Sequence, residues 1–401
     1  MRQKVILFLK KHPYWLNRVW KFARFILRIW GFFIPVQQKT MLFCSYGGRK
    51  FDDSPRAIYE EICKSSQFND WRLIWVFVEP EKFQIIRGEK VKIDTIHFFK
   101  ALLYSRVWVS NSGMDRGIGF IKKNTVHVET WHGTPLKRIC GEEEQGALGG
   151  KRIVLKTKLD SETIRCAQSE YDREIFQRVF HAAKQSILLS DLPRNDALLK
   201  YNGSDCSQVR KKLGISEKAK IILYIPTFRE YMVDECVGKH IIFPFNIKKW
   251  EKIFGMDYVF LLHAHYTVSQ GMVKHKSDFF KDVSSYPILN DLYAISDLMI
   301  SDYSSAFFDY SILERPIFCF AYDLDEYKKK RGLYVDLEEV LPCPIDREED
   351  VLIQHILSLQ KGEDEKMRTA VAAFRKRFVP NAGHASEKIV EEIKKRLWLG
   401  D

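Results

Sequence analysis

The chain has 401 residues, of which 46% are hydrophobic and 29% are charged, and its formal net charge is +12. This length exceeds what one compact core usually encloses, so we expect two globular domains. Residues 1–40 contain nine Lys or Arg and no Asp or Glu, which leaves 55 basic and 52 acidic residues for the rest of the chain. The positive charge is therefore local, and this distribution excludes a general nucleic-acid-binding surface.

The cysteines and glycines exclude several classes of site. The eight Cys are scattered without a C-x-x-C pair, which argues against a structural zinc site and a disulfide framework and fits a reduced compartment. The chain lacks a G-x-x-x-x-G-K-[ST] loop, and no G-x-G-x-x-G follows its first strand. P-loop enzymes and dinucleotide-dependent dehydrogenases are therefore disfavoured.

Residues 1–39 are expected to form an amphipathic helix on a membrane surface. Charges interrupt the apolar run too often for a spanning helix, and no cleavage site suggests a signal peptide. One helical stripe is basic and the stretch is rich in tryptophan: Arg18, Lys21, Arg24 and Arg28, with Trp15, Trp20 and Trp30. Such a helix suits an anionic membrane. The alternative is a helix that packs on the protein's own core.

Residues 40–190 are expected to form the first α/β domain. Short apolar strands near 41–44, 71–78, 107–110 and 126–130 alternate with helical stretches, which predicts a parallel sheet covered on both faces. Trp131-His132-Gly133-Thr134-Pro135 directly follows the fourth strand, at the edge where such sheets bind ligands. His132 is a candidate general base, and the alternative is a structural histidine.

Residues 191–401 are expected to form the second domain, because four further strands end in polar residues. The pairs at these ends are Thr227 and Arg229, His263 and His265, Ser304 and Ser305, and Tyr322 and Asp323. At 299–310 a strand turns through serines into a helix, which suits a phosphate because free backbone N–H groups and a helix dipole converge there. An ordinary helix cap is the alternative. Residues 230–244 are expected to form a loop over the site.

The ordered motifs resemble the CDP-glycerol:glycerophosphotransferase family of teichoic acid synthesis from about residue 40 to the C-terminus. The matching segments are Phe43–Gly48, Asp53–Ile58, Trp131–Lys137, Pro193–Asp196, Pro226–Arg229, Ser301–Ser305, Phe308–Tyr310 and Arg315–Ile317, followed by Gly383, Ala385 and Ser386. The resemblance implies a GT-B-like α/β architecture, in which two Rossmann-like domains face each other across a cleft.

The resemblance also implies an activity and assigns residues to it. The family transfers a polyol phosphate from CDP-glycerol or CDP-ribitol to a lipid-linked acceptor hydroxyl and releases CMP. It implies that His132 is the base and that His265 contacts the donor pyrophosphate, although His263 and Tyr266 replace the family's Arg and Pro. The expected donor-binding residues are Thr227, Arg229, His263, Ser301, Asp302, Ser304 and Ser305. The expected acceptor or cleft residues are Gly133, Thr134, Lys137, Arg194 and Asn195.

The expected partners follow from the same resemblance. They are an anionic membrane surface and a polyprenyl-diphosphate-linked glycan acceptor, for a peripheral enzyme on the cytoplasmic face of the membrane. We expect no cofactor, no protein-bound metal and no nucleic acid, and the sequence leaves a homo-oligomer open. The alternatives are a GT-B glycosyltransferase that uses a nucleotide sugar, and a non-catalytic membrane adaptor with the same fold.

Overall fold

The chain forms two compact units. The structure is a computed structural model that describes residues 13–116, 118, 120–142, 163–229, 233–234, 238–239, 243–264 and 277–398. The first unit comprises residues 1–132, 150–196 and 381–401, and the second comprises residues 133–149 and 197–380. Both are α/β units built on a parallel sheet, which confirms the expected fold class at that level.

Within the described residues, the first unit contains a seven-stranded parallel sheet in the order β3-β2-β1-β4-β5-β6-β7. Its strands are β1 (Gln37–Cys44), β2 (Arg72–Phe77), β3 (Glu89–Lys92), β4 (Ser105–Ser110), β5 (Val126–Glu129), β6 (Thr163–Ala167) and β7 (Ile187–Leu189). Its helices up to this point of the chain are α1 (Pro13–Phe33), α2 (Asp53–Lys64), α3 (Ile96–Tyr104) and α4 (Glu170–Phe180). The strand order reverses between β1 and β4, and in such sheets the ligand crevice lies beyond the ends of those two strands.

The second unit repeats this topology, with six described parallel strands in the order β12-β11-β8-β13-β14-β15 and a separate pair, β9 and β10. The strands are β8 (Lys220–Ile225), β9 (Val233–Asp234), β10 (Gly238–Lys239), β11 (Tyr258–Leu262), β12 (Phe280–Asp282), β13 (Leu298–Ser301), β14 (Ile317–Phe320) and β15 (Ile345–Asp346). The helices are α5 (Gly203–Leu213), α6 (Ile247–Phe254), α7 (Leu289–Ile295), α8 (Ala306–Ser311), α9 (Leu324–Lys330), α10 (Leu337–Val340), α11 (Glu349–Ser358) and α12 (Asp364–Phe378). Here the order reverses between β8 and β13.

The C-terminal helix, α13 (Ala385–Trp398), belongs to the first unit, whereas the predicted boundary placed it in the second. Its apolar residues Ile389 and Ile393 pack with Ile58 and Ile62 of α2 against one face of the first sheet. The Asp196 carboxylate accepts hydrogen bonds from the N–H groups of residues 385 and 386 at 2.9 and 2.7 Å. These contacts bring the chain back to the unit where it began.

Helix α1 packs on the first unit through one face and exposes the other. Trp20, Leu27 and Trp30 contact a cluster that includes Leu103 and Phe120. Trp20 was expected to enter a membrane, but here it packs on its own unit, and the Trp15 side chain lies outside the described residues. Large apolar side chains on the other face are exposed: Phe22, Phe25, Ile26, Ile29, Phe32 and Phe33. No helix among the described residues is long and apolar enough to cross a membrane.

Candidate active site

The first unit ties the ends of β1 and β4 together where the strand order reverses. The Tyr46 N–H donates to Asn111 Oδ1 at 2.8 Å, and the Gly47 N–H donates to Ser112 Oγ at 3.1 Å. Gly48 has φ +80°, and a Cβ there would lie 3.1 Å from the backbone of Phe77. The turn after β1 therefore requires glycine and is fixed by side chains that follow β4.

His132 lies beside this turn, and a hydrogen bond defines its tautomer. Its Nδ1 lies 3.0 Å from the carbonyl oxygen of Asn111, which only accepts, so Nδ1 carries the proton. In the neutral ring this places the basic lone pair on Nε2, and the side chain is exposed. The Trp131 ring stacks on the imidazole with centroids 4.2 Å apart. The Asn111 carbonyl and the Trp131 ring therefore fix the orientation of the His132 imidazole.

A buried ion pair supports the His132 backbone. Arg194 Nη1 donates to Asp53 Oδ2 at 2.8 Å and to the His132 carbonyl oxygen at 3.0 Å. The Tyr46 hydroxyl donates to the same carboxylate oxygen at 2.5 Å. Burial alone would raise the pKa of Asp53, but Arg194, the Tyr46 hydroxyl and the Ser54 N–H together keep it below its usual value. Arg194, predicted as a cleft residue, thus anchors the candidate base.

Three residues of this site have left-handed backbones that are rare outside glycine. Tyr46, Asp53 and Trp131 have φ of +48°, +65° and +56°. Such conformations cost of order 1–3 kcal/mol each and concentrate at functional sites. The sequence interpretation included these three residues in its motifs but gave none of them a role, and it missed Asn111. A polar residue directly after β4 was a usable signal for Asn111, whereas backbone strain has no sequence signature in Tyr, Asp or Trp.

The other predicted cleft residues have varied environments. Thr134 and Asn195 are 1% and 0% exposed, so both side chains are enclosed by protein rather than open to a ligand. Gly133, with φ +141°, begins the segment that joins the second unit. Lys137 is half-buried, and its backbone pairs with Leu333.

In the second unit, Ser301 and Asp302 join the ends of β8 and β13. The Ser301 hydroxyl donates to the carbonyl oxygen of Ile225 at 2.6 Å. Asp302 Oδ1 accepts from the N–H groups of Thr227 and Tyr303 at 2.9 and 2.7 Å. The sequence had suggested that Ser301 and Asp302 contact the donor. Both residues are fully buried, so they shape the strand ends instead.

Arg229 also has a different role from the predicted phosphate ligand. It is 1% exposed, and its Nε and Nη2 donate to the two carboxylate oxygens of Asp323 at 2.9 and 2.8 Å. Its Nη1 donates to Asp302 Oδ2 at 2.6 Å. Burial by itself raises the pKa of the Asp323 carboxyl, but the Arg229 guanidinium and the Tyr303 hydroxyl together bring it below its usual value. The Arg229 guanidinium thus stabilises the fold through its bonds to Asp302 and Asp323.

Ser304, Ser305 and His263 remain partly accessible at the same edge. The two serines directly precede α8, and Ser304 Oγ accepts from the Ala306 N–H at 3.2 Å. His263 follows β11, and its Nδ1 lies 3.1 Å from the carbonyl oxygen of Val283, which follows β12. Thr227 is buried, at 4% exposed. His265 and most of the predicted loop at 230–244 lie outside the described residues. Among the described residues, no three His, Cys, Asp or Glu cluster as a metal site would require.

Comparison with known proteins identifies the family. A family model described as CDP-Glycerol:Poly(glycerophosphate) glycerophosphotransferase matches residues 26–395. The chain is 36% identical over 377 residues to a teichoic acid poly(glycerol phosphate) polymerase of Staphylococcus epidermidis. That match covers 90% of this chain and 51% of the relative, so the chain spans about half the relative's length.

Two further matches extend over nearly whole proteins. A teichoic acid glycerol-phosphate transferase of Staphylococcus aureus is 31% identical over 369 residues, covering 89% of this chain and 93% of that protein. A solved structure of the wall teichoic acid polymerase TagF, soaked with CDPG, superposes with a TM-score of 0.84 at 31% identity, covering 100% of this chain and 99% of that one. These findings confirm the resemblance drawn from the motifs, and the chain belongs to the CDP-glycerol:poly(glycerophosphate) glycerophosphotransferase family.

Proposed function

We propose that this protein transfers glycerol phosphate or ribitol phosphate from a CDP-polyol to a hydroxyl of a lipid-linked acceptor and releases CMP. Family membership supports the reaction class, and the relatives named for glycerol phosphate make CDP-glycerol the first donor to test. The observation that carries the proposal is the Nδ1–H tautomer of His132, because the reaction requires a base for an alcohol.

The proposed reaction balances as a single displacement at phosphorus. The acceptor hydroxyl oxygen forms a bond to the phosphorus that bears the polyol, and the bond from that phosphorus to the bridging oxygen breaks. CMP leaves with the bridging oxygen, and His132 Nε2 takes the acceptor proton. Negative charge grows on the departing phosphate, so hydrogen-bond donors are needed there.

The donor side of the proposal belongs to the second unit. Ser304 and Ser305 are half-buried at the start of α8, where hydroxyls and backbone N–H groups suit a phosphate. We propose that these serines, with His263 and His265, bind the pyrophosphate. Arg229 and Asp302 act indirectly by fixing the strand ends from which these groups project. The GT-B-like architecture that the family resemblance implies is part of the proposal.

We further propose a peripheral position on the cytoplasmic face of the membrane, bound through α1. Phe22, Phe25 and Phe32 are 65%, 59% and 84% exposed on one side of this helix. Such a group of exposed apolar side chains is uncommon on a soluble surface and is typical of an interaction site. Arg18, Lys21 and Arg28 are exposed and available for anionic headgroups. Arg24 is different, because its Nε donates to the Ile118 carbonyl oxygen at 2.8 Å.

The decisive experiment measures nucleotide release. Purified protein is incubated with labelled CDP-glycerol, CDP-ribitol or a UDP-sugar, together with a glycerol-phosphate-primed lipid acceptor in vesicles. We expect acceptor-dependent CMP release from one CDP-polyol. UDP release with sugar incorporation would replace the proposal with a glycosyltransferase, and no release from any donor would indicate a non-catalytic adaptor.

A further inference from the structure

The first unit contains a cavity with aromatic and charged walls that the proposed chemistry does not use. Its volume is about 170 Å³, and it lies against β4, β5 and β6. Its aromatic walls are Trp108, Phe120, Trp131 and Phe180, and its polar walls include Asp115, His127, Glu129, Thr163 and Arg165. All of its lining residues lie within the first unit and within the part of the chain that the structure describes.

Strand register explains why these side chains share one face of the sheet. Trp108 pairs with His127, which pairs with Thr163, so one row of three residues crosses the strands. The next row on that face contains Glu129 and Arg165. Residues between these rows point to the opposite face, where valines and Ile164 pack under α2 and α13. The cavity therefore occupies the face of the sheet on which these three strands place polar groups.

The buried charges of the cavity are costly for the fold. Glu129 is 6% exposed and Arg165 is 4% exposed, and removing two ions from water costs several kcal/mol each before their attraction is counted. Apolar side chains of similar volume would often stabilise such a position as well or better. A function that requires these groups is a better explanation than stability.

The hydrogen bonding around the cavity leaves capacity for a ligand. Glu129 accepts from the Ser110 hydroxyl at 3.0 Å and from the Trp131 N–H at 3.3 Å, fewer bonds than a carboxylate can accept. The indole N–H of Trp108 has no hydrogen-bond acceptor among the described residues, and the residue is 2% exposed. A buried donor without an acceptor usually indicates a water or ligand partner.

The lining selects a neutral, hydroxyl-rich ligand. The acidic groups Asp115 and Glu129 disfavour a phosphate and the Arg165 guanidinium disfavours a cation, whereas a hydroxyl can form a hydrogen bond with either kind of group. Aromatic walls accommodate the apolar C–H faces of a polyol or sugar. At about 30 Å³ per water, the volume equals roughly six water molecules, which is close to the six non-hydrogen atoms of glycerol.

We propose that this cavity binds one polyol or sugar unit of the acceptor, next to the unit whose hydroxyl reacts. This inference rests on the proposed function, because only an acceptor-using enzyme requires it. Trp131 links the two places, since it lines the cavity and stacks on His132 with ring centroids 4.2 Å apart. An acceptor chain anchored there would approach the base along the Trp131 ring.

Filling the cavity tests the proposal without altering its polar groups. Gly113 lines the cavity, and a Cβ built on it meets no atom closer than 3.8 Å, so a side chain can begin there without a clash and Gly113→Leu is the filling variant. We expect at least a tenfold higher KM for the primed lipid acceptor, with CDP-glycerol affinity changed less than twofold. Gly203→Leu is the matched control, since Gly203 is exposed with no atom within 4 Å of its Cβ site, and it should change neither. An unchanged acceptor KM in Gly113→Leu would overturn the proposal.

A binding measurement separates failure of this inference from failure of the proposed function. Protein labelled with 5-fluorotryptophan is titrated with glycerophosphoglycerol, and the Trp108 fluorine signal is assigned with Trp108→Phe. We expect a saturable shift of that signal in wild type that Gly113→Leu abolishes. Such a shift in a protein that releases no CMP would refute the proposed function but retain the cavity site. CMP release without any shift would retain the function and indicate that the cavity holds only water.

Discussion

Removing the Arg229 guanidinium should lower the free energy of unfolding of the second unit, because this group supports the fold and is not a ligand of the donor phosphate. Arg229 is 1% exposed and makes charged hydrogen bonds to Asp302 and Asp323. Arg229→Met keeps most of the side-chain volume but leaves two buried carboxylates without their cation. Removing one partner of a buried ion pair typically costs 3–5 kcal/mol, so we expect a loss of about that size in the free energy of unfolding.

The pH dependence of this loss provides an internal check. The folded pKa of Asp323 lies below its ordinary value of 3.8, because Arg229 outweighs the opposing effect of burial. Its contribution to stability is therefore present above pH 3.8 and disappears as the pH falls through the lower folded pKa. In Arg229→Met burial is no longer opposed by Arg229, so the pKa of Asp323 rises and its carboxylate takes up a proton at a higher pH than in wild type. The stability difference between the two proteins should therefore be largest near pH 7 and shrink steadily as the pH falls towards and below 3.8.

Denaturant unfolding and CDP-glycerol binding together decide between the two roles of Arg229. Arg347→Met is the matched control, because the Arg347–Asp325 pair is 48% and 81% exposed and such pairs contribute about 0–1 kcal/mol. Ser304→Ala should weaken CDP-glycerol binding and cost only about 1 kcal/mol of stability, for the lost hydrogen bond to the Ala306 N–H. An Arg229→Met protein that is as stable as wild type but no longer binds CDP-glycerol would refute the structural assignment.

Three further predictions test other parts of the molecule. His132→Ala should lower kcat for CMP release by about a hundredfold to ten-thousandfold with unchanged CDP-glycerol binding, and normal turnover would eliminate the base. Neutralising Arg18, Lys21 and Arg28 should release the protein from anionic vesicles in sedimentation, at about 1 kcal/mol per charge, and retained binding would contradict the role of α1. Burial raises the pKa of Glu129 from 4.5 to about 7, so the free energy of unfolding of wild type should fall by up to about 3 kcal/mol as the pH rises from 4.5 to 7. Glu129→Gln should not show this fall, and the same pH dependence of unfolding in both proteins would contradict the raised pKa.

The alternation of strands and helices made much of the fold predictable. Apolar runs such as 41–44 and 298–300 are buried strands, and the order of elements requires parallel sheets. The placement of α13 was not predictable in the same way. Its amphipathic pattern shows that one face is buried, but a helix pattern contains no information about which distant surface covers that face.

The candidate site was predictable at its positions and less so in its roles. The segments 131–134, 227–229 and 301–305, which the sequence singled out as polar strand ends, lie at the ends of β5, β8 and β13. The pattern could not show that Arg229 contacts Asp323, because these two residues are 94 positions apart in the chain and only the folded sheet brings them together. An arginine after a strand looks the same in sequence whether its partner is a phosphate or a buried carboxylate.

In both sheets a buried polar side chain accepts a hydrogen bond from a backbone N–H at the end of a neighbouring strand. Where the strand order reverses, neighbouring strand ends leave backbone N–H groups that need acceptors. Asn111 supplies one in the first unit and Asp302 supplies one in the second, each bonding a backbone N–H at the end of the neighbouring strand. These residues are fully buried, whereas His132 and Ser304 beside them are accessible. A polar strand end therefore contains both buried residues that support the turn and accessible residues that are candidates for contact with a substrate.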